Sequence, residues 1–150
     1  GIMGEIANAV LEEGGDVIGI IPKGLFKKEV AHTGVTELRE VDSMHERKSL
    51  MADLSDGFIA LPGGFGTIEE IFEIITWSQL GMHRKPCGLL NVCHYYDKLI
   101  GFLDHAVTEQ FIKAAHHSTI LVDECPDALL EKFEVYEAPE TVKLIDRKST

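Results

Sequence analysis

Cysteine is scarce in this chain, and the three cysteines have no pattern. Cys87, Cys93 and Cys125 are odd in number and lack Cys-x-x-Cys spacing, which fits reduced thiols better than a disulfide or zinc framework. Histidine offers no metal site either. None of the seven histidines forms a His-x-x-x-His or His-Glu-x-x-His pair that would put two ligands on one helical face. Adjacent His116 and His117 cannot share such a face, and they fit an exposed turn. No apolar run approaches the roughly 20 residues of a membrane span, and no signal peptide opens the chain; we therefore expect a cytoplasmic protein with no membrane partner. Positive charge is in deficit, with 14 Lys and Arg against 25 Asp and Glu and a net charge of −11. Such a surface repels nucleic-acid polymers and anionic membranes. A small anion can still bind where local potential is positive.

What is present suits a globular domain: 150 residues, 45% apolar and 26% charged, enough for a sizeable core. The chain is organised around Pro62-Gly63-Gly64-Phe65-Gly66-Thr67-Ile68-Glu69-Glu70. The apolar run Gly57 to Leu61 leads into it and the apolar-periodic stretch Ile68 to Leu80 follows, the layout of a buried strand, a glycine turn and a helix. Such a turn holds an anion, because glycines let the backbone approach and the helix presents N–H groups and its positive dipole end. Phosphate is the expected guest. A dinucleotide fingerprint would need a small residue at Glu69, and a P-loop would need Gly-Lys-Ser/Thr where Gly66-Thr67-Ile68 stands. The loop is of another kind. Glu70 has two readings: the N3 partner of a Thr67 N-cap in a capping box, or a catalytic carboxylate beside a phosphate ester.

The rest alternates helix and strand. A helical pattern runs through Leu11 to Gly14-Gly15, and Asp16 to Pro22 reads as a buried parallel strand. Lys23 to Gly34 is a polar connection containing Glu29, and Thr36 to Val41 is strand-like. Ser43 or Asp42 caps a helix from Met44 to Leu54. On it Met44, Leu50, Met51 and Leu54 share an apolar face with Arg47 near its middle. An arginine facing a core must be paired or liganded, since an uncompensated buried ion costs several kcal/mol; it is either a structural ion pair or an arm reaching the phosphate. Lys48, at the edge of that face, fits a solvated lysine with a buried stem. Ile68 to Trp77 form a core helix on which Trp77 packs and Thr76 either packs or offers a hydroxyl. Cys87 to Val92 is a further buried strand, Tyr95 to Lys113 a long amphipathic helix, Thr119 to Val122 a strand and Pro126 to Phe133 a last helix.

This alternation predicts a three-layer α/β sandwich with a mainly parallel sheet, in which ligands sit past the carboxyl ends of the strands. One domain is expected over 1–136, with a partly ordered tail at 137–150.

The central stretch, together with Met44-His45-Glu46-Arg47-Lys48, resembles the paired signature of the LONELY GUY family of cytokinin riboside 5′-monophosphate phosphoribohydrolases. The similarity begins at Gly1-Ile2-Met3-Gly4, which looks like the end of the family's first glycine loop. It continues through Ile21-Pro22, Ile75 to Gly81 and Gly88-Leu89-Leu90-Asn91 to about Phe133. The resemblance implies a Rossmann-like fold, a homodimer and hydrolysis of nucleoside 5′-monophosphates such as AMP or isopentenyladenosine monophosphate to base and ribose 5-phosphate. It implies catalytic roles for Arg47 and Glu70. It places Glu29, Met44, Lys48, Gly63, Gly64, Phe65, Gly66, Thr67, Ile68, Glu69 and Thr76 around the nucleotide, with no cofactor and no metal. It also implies a first strand and a glycine-rich turn ahead of Gly1, which this sequence does not contain. Many relatives carry the label lysine decarboxylase, but no Ser-x-His-Lys segment is present to carry the pyridoxal phosphate that such chemistry uses. Two other functions use the same loop: a general purine or pyrimidine nucleotide nucleosidase, and a non-catalytic carrier of nucleotides or phosphometabolites.

Overall fold

A computed structural model describes residues 1–23 and 34–139. They fall into two compact units, Gly1–Ser55 and Asp56–Thr150, each taken by itself below. The fold is α/β, Rossmann-like, with every strand pair parallel.

In the first unit, helix α1 (Ile2–Glu12) precedes strand β1 (Ile18–Pro22), which pairs with β2 (Glu37–Val41) in a register that sets Ile18 against Glu37 and Pro22 against Val41. Thr36 starts the ladder, its Oγ1 accepting the Val17 N–H at 2.9 Å. Ile21, Pro22 and Val41 are the buried residues of this ladder. Helix α2 (Met44–Leu54) follows, capped by Ser43, whose Oγ accepts the Glu46 N–H at 3.0 Å while Glu46 Oε2 accepts the Asp42 N–H at 2.7 Å. That reciprocal exchange satisfies two amides at the helix start. The predicted apolar face of α2 stays uncovered. No α2 residue is buried, and Met44, Met51 and Leu54 are all exposed. The 3.6-residue period sorts side chains by face but does not supply the layer above them. Here α2 lies against β1 and β2, a sheet two strands wide.

The second unit holds the larger core. Strands β3 (Phe58–Ala60), β4 (Cys87–Leu90) and β5 (Ile120–Asp123) pair in that order. Central β4 is buried along its whole length, as a parallel strand covered on both faces must be, and its unbroken apolar run reflects this. Helix α3 (Phe65–Gln79) connects β3 to β4 and buries Ile71, Ile74 and Ile75. Helix α4 (Asp97–Thr108) buries Leu103 and Ala106, α5 (Ala114–His117) is a single turn, and α6 (Pro126–Glu134) seats Leu129 at 0% exposure. Lys132 on α6 ties back to β5, its Nζ lying 2.6 Å from the Val122 carbonyl and 2.9 Å from Asp123 Oδ2. That ammonium, followed by the Cys125 N–H, holds the Asp123 carboxyl below its ordinary range. The imidazole of His83 sits between two backbone groups, Nε2 at 2.9 Å from the Ile74 carbonyl and Nδ1 accepting the Lys85 N–H at 3.1 Å. With Nδ1 accepting, the Nε2–H is the donor to the Ile74 carbonyl.

The strands pair in two groups, β1-β2 and β3-β4-β5. One expectation needs correction: the long helix expected from Tyr95 to Lys113 is interrupted. Val92–His94 form a 3₁₀ turn, α4 begins only at Asp97, and Gln110 at φ 64° ends the run before α5. Among the described residues no helix is long and apolar enough to cross a membrane. Of the expected tail, residues 140–150 lie outside the described part, while the Ala138 carbonyl accepts Arg84 Nη2 at 3.0 Å.

The contact between α6 and the sheet depends on Gly88. A Cβ there would stand 2.7 Å from Phe133 Cε1 and 3.1 Å from Leu129 Cδ1. Gly88→Ala is expected to cost about 1–3 kcal/mol through overpacking, measured by urea unfolding; an unchanged midpoint would show that the Phe133 ring can withdraw without loss.

Candidate functional site

Where β3 ends, the chain turns through Leu61-Pro62-Gly63-Gly64 and enters α3 at Phe65. The N-cap is Gly64, in extended conformation, with no side-chain cap. The predicted Thr67 to Glu70 capping box is thus absent. Thr67 is the third helical residue, and its side chain packs on Gly63, whose Cβ, if it had one, would lie 2.8 Å from Thr67 Cβ. The first helical bond runs from the Ile68 N–H to the Gly64 carbonyl at 3.1 Å. By helix geometry the amides of Gly64, Phe65, Gly66 and Thr67 therefore have no carbonyl within the helix. The first turn contains no acidic residue to offset their partial positive charge. This is the amide-lined turn that the sequence predicts, with its N-cap three residues earlier.

Two phenols that the sequence reading took for the start of a helix hold this turn in place. Tyr95 donates its hydroxyl to the Gly63 carbonyl at 2.7 Å, and Tyr96 donates to the Leu61 carbonyl at 2.6 Å. Their rings meet edge to face, centroids 5.0 Å apart at 83°. Tyr96 is 1% exposed, and burial, reinforced by the neighbouring Tyr95, raises its pKa, so that it remains a donor. Asn91 aims the pair. It is buried, its N–H bonds the Asp123 carbonyl at 2.7 Å, its Oδ1 accepts the Tyr96 N–H at 2.6 Å and its Nδ2 donates to Asp97 Oδ1 at 2.8 Å. Between Asn91 and the tyrosines, Cys93 (φ 51°) and His94 (φ 60°) occupy the left-handed region. Non-glycine residues enter that region at a cost of about 1–2 kcal/mol each. A signal was available in the sequence: two adjacent phenols directly after the strand next to β3, at the carboxyl end where such folds hold ligands.

The remaining candidates divide between the units. In the second, Glu69 is exposed and Glu70 half-buried, both in the second turn of α3, and Ile68 is half-buried. Phe65 is 97% exposed at the helix start. Thr76 lies nine residues beyond Thr67, about 13 Å along the axis at 1.5 Å per residue; it is exposed and its hydroxyl donates to the Phe72 carbonyl at 2.7 Å. In the first unit, Met44 is exposed at the start of α2, and Arg47 and Lys48 are half-buried, with Arg47 Nε shut off from solvent. Arg47, Lys48, Glu69 and Glu70 each take part in a hydrogen bond, ion pair or electrostatic interaction. Glu29 lies outside the described residues. Among those described, no group of three His, Cys, Asp or Glu side chains could hold a metal ion. Burial pushes the Cys87 thiol up to about 12, which leaves it protonated and chemically quiet.

A parallel α/β fold with a glycine turn between the short edge strand β3 and helix α3 defines a protein of Rossmann-like class. The family model described as "Possible lysine decarboxylase" matches residues 3–133. A protein of Oryza sativa subsp. japonica named "Probable cytokinin riboside 5′-monophosphate phosphoribohydrolase" is 54% identical over 138 residues, 91% of this chain and 60% of that protein. One of Rhodococcoides fascians, named cytokinin riboside 5′-monophosphate phosphoribohydrolase, is 53% identical over 85% of this chain and 64% of its own. One of Arabidopsis thaliana with the same name is 48% identical over 99% of this chain and 70% of its own. The chain belongs to this family, the LONELY GUY family that its motifs resemble. It spans about three-fifths of the length of the first of these relatives.

The turn's geometry can be tested directly. Gly63→Ala drives a methyl into Thr67 and is expected to cost about 1–3 kcal/mol. At Gly64, where nothing lies within 4 Å of a built Cβ, alanine should cost under about 1 kcal/mol. Paired thermal melts read the contrast, and equal effects at the two positions would reject the packing described.

Proposed function

We propose that this protein hydrolyses the N-glycosidic bond of a cytokinin nucleoside 5′-monophosphate, releasing the free base and ribose 5-phosphate. The observation that carries the reading is the amide-lined turn at Gly63 to Thr67, found in a chain about half identical to proteins named for that reaction. In it the turn holds the 5′-phosphate. Cleavage develops positive, oxocarbenium-like charge on the ribose, and a fixed carboxylate near the anomeric carbon stabilises that charge more than it stabilises the ground state. Glu70 takes this role and orients the attacking water. Arg47 holds the substrate and stabilises charge on the departing base. Glu29, Met44, Lys48, Phe65, Gly66, Ile68, Glu69 and Thr76 complete the contacts in this reading.

The protein acts as a cytoplasmic homodimer in the same reading. Light scattering should return twice the monomer mass; a monomer at micromolar concentration would remove the dimer.

Incubation with AMP and with isopentenyladenosine monophosphate, followed by assay of base and ribose 5-phosphate, tests the reaction. Release from the isopentenyl substrate in preference to AMP is expected. Equal release from unrelated nucleotides would make it a general nucleosidase, and tight binding without release a carrier. Glu70→Gln and Arg47→Ala should each lower kcat on the order of 10²–10⁴-fold, with Glu70→Gln still binding nucleotide. Full activity in either variant would remove that residue from the mechanism.

A further inference from the structure

The Gly63 carbonyl, between the two glycines of the phosphate turn, accepts a short bond from another element, the 2.7 Å contact from Tyr95. A trans peptide is planar, with its C=O and N–H pointing in opposite directions. Fixing the Gly63 carbonyl toward Tyr95 therefore points the Gly64 N–H the other way. This plane lies between two glycines, and nothing lies within 4 Å of a Cβ built on Gly64. Glycine on both sides makes rotation of the plane sterically easy. An amide that can turn away from a bound anion must be ordered when the anion arrives, which weakens binding; one already held does not.

We propose that Tyr95 is a positioning residue for the nucleotide: its hydroxyl locks the Gly63–Gly64 peptide so that the Gly64 amide faces the 5′-phosphate. The proposal rests on the phosphate reading of the turn given above. Tyr96 differs in kind. It is 1% exposed and holds Leu61, ahead of the glycines, whereas Tyr95 is 53% exposed and holds the Gly63–Gly64 plane itself. Tyr96 serves the core, and Tyr95 serves the ligand. The left-handed backbone at Cys93 and His94, immediately before Tyr95, fits this division, since such conformations persist where the surroundings hold them and cluster at ligand clamps.

Tyr95→Phe keeps the ring and removes only the hydroxyl. In the intact protein, calorimetric binding of AMP should weaken about tenfold and KM for the monophosphate should rise by a similar factor. Adenosine binding, the melting temperature and kcat should stay within about twofold or within error. Tyr96→Phe should instead lower the melting temperature without separating AMP from adenosine. Equal losses on AMP and adenosine in Tyr95→Phe, or no loss on either, would overturn the proposal. A wild-type protein that binds AMP no better than adenosine would refute the phosphate reading and the phosphate's part in this one. The Gly63 carbonyl-carbon resonance then decides the remainder: it shifts in Tyr95→Phe if the hydroxyl holds the plane, and an unmoved resonance would end the lock as well.

Discussion

Where β3 stops, its backbone leaves the sheet, and the carbonyls of Leu61 and Gly63 must find donors away from a strand. Buried or half-buried backbone groups left unpaired cost as much as a lost hydrogen bond. Here the donors are side chains, the hydroxyls of Tyr96 and Tyr95. That choice has consequences on both sides. Toward the core, it anchors the turn to the segment that follows β4, the most deeply buried strand. On the other side of the planar Gly63–Gly64 peptide, it points the Gly64 N–H away from Tyr95.

The anchor is held against a strain of known size. Two residues in left-handed backbone cost together about 2–4 kcal/mol. Asn91 and the two tyrosines make five hydrogen bonds around them, each contributing about 1 kcal/mol net. The two amounts are comparable, so the network offsets the backbone cost. His94 adds little to that balance. Its Nδ1 stands 3.2 Å from Glu124 and 3.5 Å from Asp97, but all three side chains are more than half exposed, where such pairs are worth little.

Much of this was legible in the residues. The β4 run Cys87-Gly88-Leu89-Leu90 reads as a buried parallel strand because a strand covered on both faces has no polar positions to show. The glycine turn reads as an anion loop because glycines between an apolar run and a helical period have few other uses. The failures have physical causes. Thr67 looked like an N-cap because Thr-x-x-Glu is the cap pattern, yet packing on Gly63 absorbed its side chain and let the helix start earlier. The breaks before α4 and before α5 were invisible because Cys93 and His94, and then Gln110, turn the chain left-handed where glycine or asparagine would have announced it. The α2 face was read correctly as apolar and wrongly as covered, since periodicity describes one helix and burial depends on its neighbours. The roles of Arg47 and Glu70 came from resemblance to a family; spacing alone favoured a capping box for Glu70 and left Arg47 open between an ion pair and an arm to the phosphate.

The charge distribution bears on why a backbone site suits this chain. With a net charge of −11, the protein repels a nucleotide at long range, and scattered lysines cannot reverse that field. Screening confines surface charge to roughly 8–10 Å in physiological salt. Attraction must therefore be local and must not depend on the titration or motion of side chains. Amides at a helix start meet both conditions, being fixed, unable to lose their partial charge and concentrated within one turn. The same helix carries Glu70 three residues beyond Thr67, about 4.5 Å further along the axis. On the proposed reading, one rigid element thus presents donors for an anion at its mouth and a carboxylate for a developing cation one turn inside, and their spacing is set by helix geometry instead of by the packing of separate loops.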